Sequence, residues 1–218
     1  MRAKLALVAL PFLLALVVAG DPPAAEGDAA IVATIEKGRD AFKAGKHQEA
    51  IENLQKAIGL IQAIASKGLA VFLPARDAEQ WEMAEVDTQN GNWGSGESSF
   101  QWTQVSRRYT KKGEEGGPEV NVMISNSPML IEAQRGMVQM LKDPAMRAMM
   151  AQNQDGQKLD FVEEGGWLGM ITTEKESCNA QIFHTKVMVQ IESNTGDEKL
   201  VKEFWAAIDK DGLAGASK

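Results

Sequence analysis

Apolar and polar positions alternate most cleanly within residues 158–208. Val187, Val189 and Ile191 interleave with Met188, Gln190 and Glu192, the period of two that a half-buried strand requires. The same stretch offers strands at 158–162, Trp167–Thr173 and 179–184, the first two joined through Gly165-Gly166. After Asn194-Thr195-Gly196 the spacing turns helical, with Leu200, Val201, Phe204, Trp205 and Ile208 on one side. Thr195, with Glu198 three residues on, forms a capping box for that helix.

Upstream the pattern is helical first and extended later. Ile31, Val32, Ile35 and Phe42 mark one helix that stops near Gly45. Ile51, Leu54, Ile58, Ile61 and Ala65 mark a second, with Gly68 as a left-handed stop. Residues 80–86 read as a short strand with Trp81 and Met83 on one face. Residues 87–99, with Gly91, Gly94 and Gly96 around Trp93, have no period and read as a mobile surface loop. Strand 100–110 returns through a Gly-rich turn at 111–118 to Val120, Val122 and Ile124, a hairpin. Ser127-Pro128 starts a helix with Leu130, Ala133, Met137, Met140 and Leu141 on its apolar side, Ser127 serving as cap. Asp143-Pro144 starts a shorter one that ends by 153–156. Adjacent strands with segregated helices predict an α+β fold: a two-helix hairpin, then an antiparallel sheet with helices packed on one face.

The ends of the 218-residue chain change this picture. Arg2 and Lys4, an apolar run over residues 5–18 and the small residues Val18-Ala19-Gly20 have the order of a secretory signal peptide. An uncleaved N-terminal anchor is the alternative. The expected division is therefore a signal peptide at 1–20, a linker at 21–30 and a helical hairpin at 31–68. An α+β domain follows at 73–209, then a disordered tail at 210–218. Cleavage after residue 20 moves the formal charge from −7 to −9. An acidic exported domain lacks the basic footprint of nucleic-acid binding and has no attraction for anionic headgroups. No stable membrane span remains after cleavage. The single thiol, Cys178, excludes an internal disulfide framework.

Gly38, Gly45, Ala50, Leu54 and Ala57 make the first hairpin resemble one tetratricopeptide repeat, although Gln62 stands where that repeat ends in proline. No second copy follows, and such repeats stack in threes or more to bury their faces. A lone hairpin is therefore expected to dock on the rest of this chain, with a separate partner as the alternative. The whole order also resembles a family of uncharacterised exported bacterial proteins, with landmarks at Leu73-Pro74, Trp81, Arg108-Tyr109, Ser127-Pro128 and 187–191. More loosely, the α/β part resembles the PsbP-like fold of extrinsic envelope and thylakoid-lumen proteins. Neither resemblance implies a catalytic residue.

Candidate chemistry is sparse. Cys178 and His184 share a strand face but stand roughly 20 Å apart at 3.3 Å per residue, too far for a nucleophile–base pair. No zinc spacing links His47 and His184. Asp209-Lys210-Asp211-Gly212 opens like a calcium loop without its closing glutamate. The glycines of 90–96 fit no phosphate-binding pattern. Six of the eleven methionines lie between residues 129 and 150. Met137, Met140, Met146 and Met149 form Met-x-x-Met pairs whose thioethers suit Cu(I), with ordinary core packing as the alternative. Trp93, Phe100 and Trp102 offer aromatics for an interface. Arg107 and Arg108, beside Tyr109, offer a grip for an anion, or else charges that blunt a strand edge. These readings combine into a non-catalytic exported protein without a cofactor, binding a protein partner in the envelope through the hairpin and the Trp93 loop. A small-ligand or Cu(I)-binding protein is the alternative, and a hydrolase with an inconspicuous site the third.

Overall fold

The computed structural model describes residues 24–93, 100–113, 116–151 and 157–216. The expected signal peptide, the tip of the Gly/Trp loop at 94–99 and the stretch 153–156 lie outside the described residues. The chain divides into two compact units at Ala57/Ile58.

The first unit holds helix α1 (Ala24–Lys43) and the beginning of α2 (His47–Ala70). The expected linker at 21–30 is helical from Ala24, a correction with a simple cause. Its alanines favour helix. Gly45, at φ +73°, ends the turn, where the Gly45 and Lys46 amides donate to the Phe42 and Ala41 carbonyls. Gly68 is no stop, because α2 continues to Ala70.

The second unit is built on an eight-stranded antiparallel sheet. Its strands are β1 (Trp81–Met83), β2 (Asp87–Trp93), β3 (Phe100–Lys111), β4 (Glu119–Ser125), β5 (Lys158–Glu164), β6 (Trp167–Thr173), β7 (Cys178–His184) and β8 (Val187–Ser193). The order across the sheet is β1-β3-β4-β8-β7-β6-β5, and β2 also pairs with β3. Strand β3 is long enough to carry β1 along Tyr109–Lys111 and β2 along 100–106 of the same side. The expected loop at 87–99 is thus a strand for its first seven residues. An edge strand pairs through its backbone and needs no apolar alternation, which is why the pattern does not reveal it.

Helices cover both faces of this sheet, not one. Val105, Tyr109, Val120, Val122, Ile124, Ile182, Val189 and Ile191 meet Leu200, Val201, Phe204 and Trp205 of α5 (Glu198–Ala206) in one core. Phe204 is its hub, edge-on to Tyr109 at 5.0 Å and to Trp81 at 5.3 Å between ring centroids. Of Trp81 and Met83, expected on one face of β1, Trp81 is buried and Met83 is exposed. On the other face Met170, Phe183 and Met188 meet Ile131, Val138 and Leu141 of α3 (Pro128–Lys142). The apolar side expected for α3 is therefore rotated, and Leu130 and Met140 stand exposed. α4 (Pro144–Ala151) follows directly. Two caps differ from expectation as well. Ser127 makes no side-chain cap bond. Asp197, in place of Thr195, caps α5 by accepting from the Lys199 and Leu200 amides, while the Thr195 hydroxyl pairs with Ser193. The expected disordered tail forms α6 (Lys210–Ala216), anchored by fully buried Leu213.

Gly169 of β6 lies opposite Ile182 of β7, and a Cβ there would fall 2.5 Å from the Gln181 carbonyl oxygen and 2.7 Å from Ile182 Cα. Backbone cannot yield as a side chain can. Gly169→Ala is expected to lower stability in urea denaturation by about 2–3 kcal/mol. Gly59→Ala in α2 meets open space and should raise it by about 0.5–1 kcal/mol.

Candidate interaction surface

The two N-terminal helices pack through small side chains. Ile31, Thr34 and Ala41 on α1, with Ala50 and Ala57 on α2, are buried, and Gly38 admits Leu54 so closely that a Cβ would lie 3.0 Å from Leu54 Cγ. The larger side chains sit beside this seam. Val32 and Phe42 are 55% and 64% exposed, and Ile35 is 40% exposed. On α2, Ile51, Leu54, Ile58 and Ile61 are 40–50% exposed. These are large side chains of the stripes that the spacing marks in the sequence.

Helix geometry places Val32, Ile35, Phe42 and Ile51 on a common side in the first unit. In an antiparallel pair, a residue one position beyond the seam turns the same way on both helices, at about 100° per residue. Val32, Ile35 and Phe42 follow the α1 seam in this sense, and Ile51 follows Ala50 on α2. His47 closes the turn with its ring 5.4 Å from that of Phe42. Soluble monomers rarely show a contiguous apolar patch above a few hundred Å² without a binding role.

The other sequence candidates are not assembled into a site. Trp93 and Phe100 pair opposite each other at the end of the β2–β3 ladder, and their side chains lie outside the described residues. The Trp102 ring covers Gly91 on the neighbouring strand, so close that a Cβ there would sit 2.6 Å from it. Trp102 is thus half-buried and used in strand pairing. Arg107 and Arg108 are adjacent strand residues and point to opposite faces. Arg108 is exposed and paired with Glu119 at 3.2 Å, whereas Arg107 lies beside buried Tyr109. They do not form one anion grip. Met137 is half-buried against the second core, while Met140 is exposed and Met146 half-buried. Met149 has no described side chain. Among the described residues no three His, Cys, Asp or Glu groups could hold a metal ion.

Cys178 and His184 occupy opposite ends of β7. Burial pushes the Cys178 thiol up, against a contact with the Thr173 hydroxyl, so it is a poor thiolate. His184 packs on the Trp167 ring. The surface also has concave features that the sequence pattern does not mark. A groove of about 280 Å³ beside α3 is lined by Met137, Met170, Thr172, Asn179 and Gln181. A notch of about 430 Å³ is lined by Glu164, Trp167, Asp209 and Lys210. In the notch, Glu164 already accepts from Trp205 Nε1 and Lys210 Nζ, both at 2.7 Å, and these two donors hold its carboxyl below the usual range. Neither Arg107 nor His184 lines it. Nearby, Lys158 and Lys202 hold Glu198 down to about 2, joining β5 to α5 by exposed ion pairs that contribute little stability.

No family model matches the chain, and no curated protein matches it. Among solved structures, a GTP binding regulator from Thermotoga maritima is similar at 10% identity over 67% of this chain and 87% of its own, with a TM-score of 0.33. That likeness is too low to carry an argument.

Tyr109, the one tyrosine of the chain, reports on the first core. Its hydroxyl donates to the Pro74 carbonyl at 2.8 Å. Burial pushes its pKa up to about 12, against the opposing pull of Arg107 and Arg76. The folded-state pKa lies above the unfolded one, so this group's contribution is full below pH 10 and is lost as pH climbs through 12. Tyrosinate absorbance should therefore rise about two units later in the native protein than in urea, and Tyr109→Phe should flatten the alkaline stability loss of about 2–3 kcal/mol.

Proposed function

We propose that this chain is an exported, non-catalytic accessory protein of the cell envelope, and that it binds a protein partner through the apolar face of its helical hairpin. One observation carries the reading: the large side chains of α1 and α2 are exposed beside a seam of small ones. A helix pair that needed only itself would turn its isoleucines inward. The α+β domain supports the non-catalytic reading in two ways. Its only thiol is buried, and the Glu164 carboxylate in the notch is already bonded to Trp205 and Lys210. Export rests on the charge and hydropathy order of residues 1–20. The Gly/Trp stretch at the β2–β3 end is a secondary contact.

A photocrosslinking residue at Ile58 is expected to capture a protein in the envelope, and one at Lys56, on the opposite side of α2, is not. Ile51→Glu with Ile58→Glu should abolish capture by a probe at Phe42, while shifting stability by under about 1 kcal/mol. Equal capture by this variant would refute the reading.

A further inference from the structure

Strand β5 stands at one end of the sheet and pairs with β6 alone among the described strands. The two are joined through Gly165 and Gly166, at φ +56° and +84°. In such a two-residue turn the flanking pair, here Glu164 and Trp167, shares both backbone hydrogen bonds. Bonded pairs then alternate along the ladder, so Asp160, Val162 and Glu164 bond inward to β6. Leu159, Phe161 and Glu163 turn their N–H and C=O groups outward, where no described strand meets them.

A trough follows this edge. A groove of about 370 Å³ is lined by residues 160–164 of β5, with Lys202 and Trp205 of α5 opposite. Neighbouring strand residues point to opposite faces, so a groove that touches five in succession runs along the backbone. It adjoins the notch of about 430 Å³ across the Glu164–Lys210 ion pair, whose two residues line both.

The trough is acidic. Asp160, Glu163, Glu164, Asp209 and Asp211 line its two parts. The nearby ammonium groups are already engaged, Lys202 with Asp160, Lys210 with Glu164 and Lys142 with Glu163. Five carboxylates thus stand against three ammonium groups.

We infer that this trough receives an extended, lysine- or arginine-bearing segment of another protein, added to β5 as a ninth strand. The open backbone edge selects an extended chain, and the excess of carboxylates selects its charge. The same excess repels nucleic acid and anionic lipid, and two copies meeting at β5 would bring acidic troughs together. The surface belongs to the α+β domain and does not depend on the role proposed for the hairpin.

The probe is the peptide Lys-Val-Lys-Val-Lys-Val-Lys-Val, titrated by nuclear magnetic resonance into the protein purified with its natural N-terminus. Saturable binding below about 1 mM is expected, with hydrogen exchange slowed at the Leu159, Phe161 and Glu163 amides. A fully N-methylated peptide keeps the charge but has no backbone N–H to donate, and one with glutamate for lysine keeps the N–H groups. Each should bind at least about 10-fold more weakly. Glu163→Lys with Asp211→Lys, both at exposed positions, should weaken binding similarly while the amide spectrum of the sheet is retained. If that variant does not fold, the two control peptides decide. No binding of the first peptide, or equal binding of either control, overturns the inference. So does concentration-dependent protection of the same three amides in the protein alone, which would give the edge to a second copy.

Discussion

The pairing of β4 with β8 is the constraint on which the sheet depends. β1 to β4 are joined by neighbouring hairpin contacts, and so are β5 to β8. Among the described strands, only the ladder from Val120↔Ser193 to Ser125↔Met188 pairs one half with the other. Its partners are more than sixty residues apart in sequence, so the entropy of closing that loop must be met by burial at the junction. The junction supplies it. Val120, Val122, Ile124, Val187, Val189 and Ile191 are all fully buried. Because β8 lies inside the sheet, its two faces serve two cores, with Met188 turned towards α3 and its valines towards α5. Both helical layers therefore inherit their positions from one strand.

This double burial also explains what could be read beforehand. The strands from β5 to β8 and the helix α5 were legible because each buries one clear apolar face, and Leu200, Val201, Phe204 and Trp205 mark it at helical spacing. The buried face of α3 is hard to read because its apolar residues span about 200° of the helix circumference at 100° per residue. Leu130 and Met140 outweigh Ile131 and Val138 to the eye, and only the packing against Phe183 and Met188 decides which face is inside. β2 was illegible because an edge strand of Asp, Thr, Gln and Asn owes its form to hydrogen bonds from β3. α6 hid in a tail of small residues because its one anchor, Leu213, has no periodic companions. The class of the fold was legible, and the placing of helices on both faces was not.

For the candidate surface the position is reversed. The residues of the α2 stripe were visible in the sequence, but their fate was not, because periodicity announces an apolar face without saying what covers it. Meanwhile the residues that look most like chemistry are drawn into structure. Tyr109 and Arg107 serve the first core, Trp102 covers a glycine, and Arg108 pairs with Glu119. The α+β domain thus uses its conspicuous side chains to hold itself together, and the less conspicuous hairpin is left with open surface.

The small-residue seam of that hairpin has a thermodynamic consequence. Alanine and glycine at Gly38, Ala41, Ala50 and Ala57 allow the helices a close approach, yet they remove little apolar area from water as they do so. The pairing of α1 with the start of α2 is therefore only weakly reinforced by its own contacts, and a short isolated helix pair gains most of its order from what packs on it. A partner of the kind proposed, bound only to the paired helices, would also favour them over the separated ones. Its occupancy and the helical order would then be linked functions of its concentration, each raising the other.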